Sequence, residues 1–251
     1  MSTNTKNKIR PGKLIVIEGI DGAGKTTVIR KLKKRLRSKG HKVVLSEWRE
    51  SLTIGGYLKQ LGEEGIKLSP HAFSTLHAAD FADRVMREIT PALDRGDIVI
   101  CDRYFYTEIV RDAGLHMDSK WSEGLFPFAP KPDLIVYIDI SLNTSLARVR
   151  KRIKKNGKPG SLNKTLQNTT GSLIGSLDST TGIMINSKYT EDGDPMTDIE
   201  REKIKFGFQL ITRKKYDELF RKEKNVARID GEKGRNTVFS HSLAAIKNAL
   251  K

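Results

Sequence analysis

The chain has 251 residues, 37% of them hydrophobic and 7% aromatic, and a formal net charge of +16. This length and composition suit one domain with a substantial core, and no apolar run approaches the roughly 18 residues of a membrane-spanning helix. One cysteine, Cys101, leaves no internal disulfide and no cysteine-rich zinc site, the five histidines lack metal-ligand spacing, and the polar, basic opening residues carry no secretory signal, so the chain reads as cytoplasmic.

Residues 1–12 read as a flexible basic tail and 13–251 as a single domain. The first apolar run, Leu14 to Ile17, has the continuous character of a strand buried on both faces. It ends in Gly19-x-x-x-x-Gly24-Lys25-Thr26, the full phosphate-loop pattern, and a helical run from Val28 to Leu36 follows. Strand, glycine-rich turn and helix are the context this motif needs to cradle a nucleoside triphosphate. Backbone N–H groups from Gly19 through Asp21, Gly22, Ala23, Gly24, Lys25, Thr26 and Thr27 can turn inward around phosphate oxygens, Lys25 adds a mobile charge, and the Thr26 hydroxyl can reach Mg²⁺. The basic run from Arg30 to Lys42 has two readings, the solvated face of this helix or a footprint for weak nucleic-acid binding.

Further apolar runs follow at Lys42 to Leu45, Ile98 to Cys101, Leu134 to Ile138 and Val226 to Ile229, separated by stretches long enough for crossover helices. That alternation predicts a parallel sheet with helices on both faces and a ligand at the strand C-terminal ends, where Gly19, Glu47, Asp102 and Asp139 fall. The segment 153–195 departs from its surroundings. Rich in Gly, Ser, Thr and Asn and without sustained periodicity, it reads as a polar lid or insertion.

Asp102 ends a buried strand and can hold Mg²⁺ beside Thr26, or can form a structural ion pair with Arg103. Neither a water-orienting glutamate after Asp102 nor an Asn-Lys-x-Asp guanine motif is present, which favours phosphoryl transfer to a bound acceptor over hydrolysis.

Five segments in order then resemble the thymidylate kinase family: Glu18 to Thr27, Leu76 to Arg84, Ile89 to Gly96, Asp102-Arg103-Tyr104 and Lys131 to Asp139. The resemblance covers residues 13 to 152 well and the final helices more loosely. It implies a P-loop NTPase three-layer sandwich of the nucleoside-monophosphate kinase type, ATP and Mg²⁺ as cofactors, dTMP as acceptor, and a homodimer. It also implies site roles: Lys25 and Thr26 at the triphosphate and metal, Asp102 as the metal-associated acid, Arg103 near the acceptor phosphate, Arg49 clamping the monophosphate, and Asp21 near the acceptor sugar and phosphate. The family pattern Phe-Ala-x-Asp-Arg, which meets the base, fits in two frames. Aligned on Ala78-Ala79-Asp80, His77 takes the stacking position and Phe81 the arginine position; shifted by a helical turn, Phe81 and Arg84 take them. Glu108 and Arg111 replace the polar and aromatic residues that follow Asp-Arg-Tyr in the family. With no arginine inside the loop, transition-state charge is expected from Arg148, Arg150 or Arg152. Acceptors other than dTMP, or a nucleic-acid-associated role for ATP binding, are the alternative functions.

Overall fold

The computed structural model describes residues 11–64, 66, 68–155 and 198–250. Five parallel strands form one sheet: β1 (Lys13–Glu18), β2 (Val43–Glu47), β3 (Ile98–Asp102), β4 (Leu134–Asp139) and β5 (Val226–Asp230), in the spatial order β2-β3-β1-β4-β5. Register is set by pairs such as Ile17 with Asp102 on one side of β1 and Ile17 with Val136 on the other. The three inner strands are buried along almost their whole length, which is why they read as unbroken apolar runs. At its base, the Asp133 carboxylate accepts the Leu14 backbone N–H at 2.8 Å, fixing where β1 enters the sheet.

The helices are α1 (Lys25–Arg37), α2 (Gly55–Glu64), α3 (Pro70–Arg84), α4 (Thr90–Asp94), α5 (Phe105–Gly114), α6 (Ser119–Gly124), α7 (Leu142–Lys155), α8 (Asp198–Lys222) and α9 (Arg235–Ala249). Between α3 and α4 the chain widens into a π-helical turn, Val85–Ile89. Ser69 begins α3 by accepting the Ala72 N–H at 3.2 Å, and Pro70 occupies the first position, where its missing N–H costs nothing. Right-handed crossovers sort the layers. Only the β1-to-β2 connection runs leftward in the strand order, so α1 lies on the face opposite α3, α5, α7 and α8, and α9 packs beside α1. Chain direction therefore diverges at the C-terminal end of β1, the switch point where a doubly wound sheet opens a crevice.

The main core includes Ile15, Val16, Ile17, Val99, Ile100, Cys101, Val136 and Ile138 from the sheet. A second apolar cluster, Leu58, Leu61, Phe73, Leu115 and Phe208, joins α2, α3, α5 and α8 beside the crevice. Of the expected N-terminal tail, residues 1–10 lie outside the described residues; Gly12 belongs to the fold, its N–H donating to the Leu93 carbonyl at 2.9 Å. The expected polar segment begins inside α7, which continues to Lys155, and from 156 to 195 lies outside the described residues. Among the described residues, no helix is long and apolar enough to cross a membrane.

Candidate active site

A cleft of about 960 Å³ opens at the switch point, walled by the loop after β1, the C-terminal ends of β2 and β3, and residues of α3, α5, α7, α8 and α9. The turn from β1 to α1 uses three left-handed glycines, Gly19 (φ 147°), Gly22 (φ 78°) and Gly24 (φ 97°). At Gly22 a Cβ would stand 3.0 Å from the Ser145 carbonyl oxygen, so both the dihedral and the space call for glycine. Gly24 caps α1 without any side-chain hydrogen bond, leaving the first-turn N–H groups facing the cleft, as an anion site requires.

Lys25 is buried, and its Nζ donates to the carbonyls of Gly19 at 2.8 Å and Ile20 at 3.1 Å. Burial, reinforced by the positive charge of Arg103, lowers its ammonium to about 8, with Asp21, Asp102 and Glu18 acting in the opposite sense. Thr26, on the first turn of α1, and Asp102, at the end of β3, line the same cleft. Both are hard oxygen donors, and a pair of them fits Mg²⁺, which takes one or two protein oxygens and completes its shell with phosphate and water.

Arg103 has φ +70° and lies across the loop, its Nη2 donating to Asp21 Oδ1 at 2.7 Å and its Nη1 to the Gly19 carbonyl at 3.3 Å. Arg49 (φ 67°) lines the cleft from the segment after β2. On the far wall, Arg148 donates to the Gly22 carbonyl at 3.2 Å and the Gly231 carbonyl at 3.0 Å, joining the phosphate loop to the loop before α9. Arg152 lines this end as an exposed side chain, together with Lys151, Lys233 and Arg235. Arg150 is exposed and lies off the cleft wall.

At the other end His77 and Arg111 reach the cleft wall from α3 and α5. Their polar partners are buried: His77 Nδ1 lies 2.8 Å from Glu108 Oε2 and 2.8 Å from Arg111 Nη1, and Arg111 Nη2 donates to Glu108 Oε1 and to Asp112 Oδ1. Burial, with the charges of Arg111 and Arg49, drives the His77 imidazole well below its usual value, so the ring is neutral. Burial also lowers Arg111 to about 9, Asp112 offsetting it, which leaves the guanidinium charged at neutral pH while it stacks 3.9 Å over the Phe73 ring. Among the described residues, His77 Nε2 has no hydrogen-bond partner.

Glu108, expected at the substrate, is fully buried behind this wall and, among the described residues, meets the cleft through His77 and Arg111. Phe81 and Arg84 also lie off the wall. Phe81 sits in an aromatic cluster with Trp48, Tyr104, Phe126 and Phe128, and buried Arg84 donates to Ser46 Oγ at 2.9 Å while lying over Trp48 and Phe81. The reason is height. His77, Phe81 and Arg84 share one face of α3, but this helix runs antiparallel to the strands, so Phe81 lies about 6 Å and Arg84 about 10 Å below His77, away from the crevice. The frame anchored on Ala78-Ala79-Asp80 is thus the one that brings a side chain, His77, to the cleft. Asp139 is likewise outside it, paired with Arg213 at 3.0 Å and Arg228 at 2.8 Å.

Sequence reading missed Trp48, Tyr216, Thr212 and Gln209, all on the cleft wall. Trp48 carried a local signal, an aromatic residue directly after a strand C-terminus. The α8 residues carried none, because only the fold brings that helix across the crevice.

The thymidylate kinase family model matches residues 17–192. The chain is 38% identical over 146 residues to a probable thymidylate kinase of Pyrococcus horikoshii, an alignment covering 56% of this chain and 71% of the relative. It is 40% identical over 144 residues to probable thymidylate kinase 2 of Saccharolobus solfataricus, covering 57% and 67%, and 42% identical over 148 residues to a thymidylate kinase of Xanthomonas oryzae, covering 58% and 64%. With a phosphate loop, a parallel sheet opening at β1 and a family match over most of its length, the chain belongs to the thymidylate kinase family.

Proposed function

We propose that this chain transfers the γ-phosphoryl group of ATP to dTMP, giving ADP and dTDP. The observation that carries the proposal is a single cleft in which a phosphate loop, a cationic middle and a partly apolar polar-rimmed end are continuous. Triphosphate lies on the loop N–H groups and Lys25, with the adenosine end toward Arg148, Lys233 and Arg235. The dTMP phosphate lies between Arg49 and Arg103, and thymine lies against Trp48, His77 and Arg111. A charged guanidinium supplies donors for base carbonyls, and the His77 and Trp48 rings supply surface for the base. Asp21 meets the acceptor through the same salt bridge that steadies Arg103.

An acceptor-phosphate oxygen attacks the γ-phosphorus in line as the bond to the ADP oxygen breaks. The protein contributes alignment and positive charge, and no covalent intermediate on a side chain is needed. Lys25, Arg103, Arg148 and Arg152 are the groups that offset charge on the transferring oxygens. Thr26 and Asp102 would hold Mg²⁺, which would supply neutralisation of phosphate charge. The exposed apolar residues Leu52, Tyr57 and Met86 favour a homodimer through helices beside the sheet, which sedimentation tests.

A coupled assay with Mg-ATP against dTMP, dUMP, UMP, CMP, AMP and GMP tests the reading, with Lys25→Ala as the blank. Turnover concentrated on dTMP and lowered about 100-fold or more in Lys25→Ala is expected; absence of turnover on every monophosphate contradicts it and favours a polyphosphate or polynucleotide acceptor.

A further inference from the structure

Glu18 closes β1 immediately before the phosphate loop and is completely buried. Its Oε1 accepts the Tyr104 backbone N–H at 2.8 Å; its Oε2 accepts the Thr107 hydroxyl at 2.9 Å and the Tyr216 hydroxyl at 2.8 Å. One carboxylate therefore gathers β1, the turn after β3, α5 and α8, from positions 86 to 198 residues away. A carboxylate buried this completely is costly and needs a reason to be there.

Arg103 supplies the reason. Its φ of +70° lies in the left-handed region that side-chain-bearing residues rarely adopt. Both peptide N–H groups around its Cα are pinned to β1: its own donates to the Ile17 carbonyl at 3.1 Å, and that of Tyr104 donates to Glu18. Thr107 has a single hydroxyl proton, and giving it to Glu18 turns an oxygen lone pair toward Arg103 Nη1, 3.2 Å away. Tyr216 lies 2.9 Å from the same Thr107 oxygen and closes the cluster. Burial, then the Glu18 charge, pushes its phenol well above its ordinary value, which keeps it a donor.

We infer that Glu18 and Tyr216 are positioning residues for Arg103, holding the strained turn and the Thr107 hydroxyl that together aim its guanidinium across the phosphate loop. The inference rests on the phosphoryl-transfer reading above. It makes α8 part of the catalytic apparatus through a hydroxyl that meets Glu18 and Thr107.

The test is a double-mutant cycle on kcat. Tyr216→Phe keeps the ring that packs 5.4 Å from both Tyr137 and Phe220, so folding is retained, and Glu18→Gln keeps the shape while leaving one acceptor oxygen, which cannot serve both the Tyr104 N–H and the two hydroxyls. Tyr216→Phe is expected to lower kcat about 10-fold, the equivalent of one hydrogen bond, and to change KM for ATP by less than about 2-fold. In an Arg103→Ala background the same substitution is expected to change kcat by less than about 2-fold, because the group it positions is gone. An undiminished effect of Tyr216→Phe in that background, or unchanged kcat for both Tyr216→Phe and Glu18→Gln in the parent chain, overturns the inference. Absence of turnover in the parent chain overturns the phosphoryl-transfer reading instead.

Discussion

Raising the pH through 8 should weaken nucleotide binding in a way that one side chain explains. In the unliganded cleft the Lys25 ammonium is lowered to about 8 by burial and then by Arg103, while its two described acceptors, the Gly19 and Ile20 carbonyls, are neutral. A bound triphosphate replaces them with full negative charge and returns the group at least to its ordinary value near 10.5. Free Lys25 is then about 90% protonated at pH 7 and about 10% at pH 9, whereas bound Lys25 is nearly fully protonated at both. Affinity for a non-hydrolysable ATP analogue should fall about 10-fold between these pH values, and binding should take up about 0.9 proton at pH 9 against about 0.1 at pH 7. Titration calorimetry in buffers of differing ionisation enthalpy reads the uptake directly, and subtracting the Lys25→Met variant isolates this group. An uptake below about 0.3 proton at pH 9, or the same uptake in Lys25→Met, refutes the reasoning. The sign for folding is opposite. Between about 8 and 10.5 the unfolded chain holds more protons at Lys25 than the folded chain, so this group makes the unliganded protein more stable as pH rises through that window.

Glu108→Ala should cost about 3–5 kcal/mol in urea unfolding, because it strips a buried counter-charge from Arg111, and a loss below about 1 kcal/mol contradicts the network. Gly22→Ala should cost roughly 1–2 kcal/mol and raise KM for ATP, whereas Gly124→Ala, whose added Cβ meets nothing, should stay within about 0.5 kcal/mol or stabilise slightly; equal effects contradict the steric argument. Burial pushes the Cys101 thiol up to about 12, so the native protein at pH 8 should resist a thiol reagent that labels it once unfolded; prompt labelling of the folded chain contradicts that placement.

The legible parts of this molecule were those whose physics is local. Inner strands show themselves because burial on both faces forces unbroken apolar runs, and the phosphate loop shows itself because left-handed turns require glycine at fixed spacings. The base-facing wall was legible only in part. Periodicity puts His77, Phe81 and Arg84 on one face, but it says nothing of how far each lies from the strand ends, and that depth separates a cleft residue from two interior ones. Glu18, Tyr216 and Thr107 were the hardest to read. They meet only because the strand order returns α8 beside α5, and nothing near any of them in sequence marks the others.

The most direct test of the central claim is a crystal structure with a bisubstrate analogue in which adenosine and thymidine are joined by five phosphates. Phosphates are expected over the loop N–H groups and Lys25, adenine beside Arg148 and Arg235, and thymine against Trp48, His77 and Arg111. Thymine bound elsewhere, or a cleft that takes only the adenosine half, contradicts that claim.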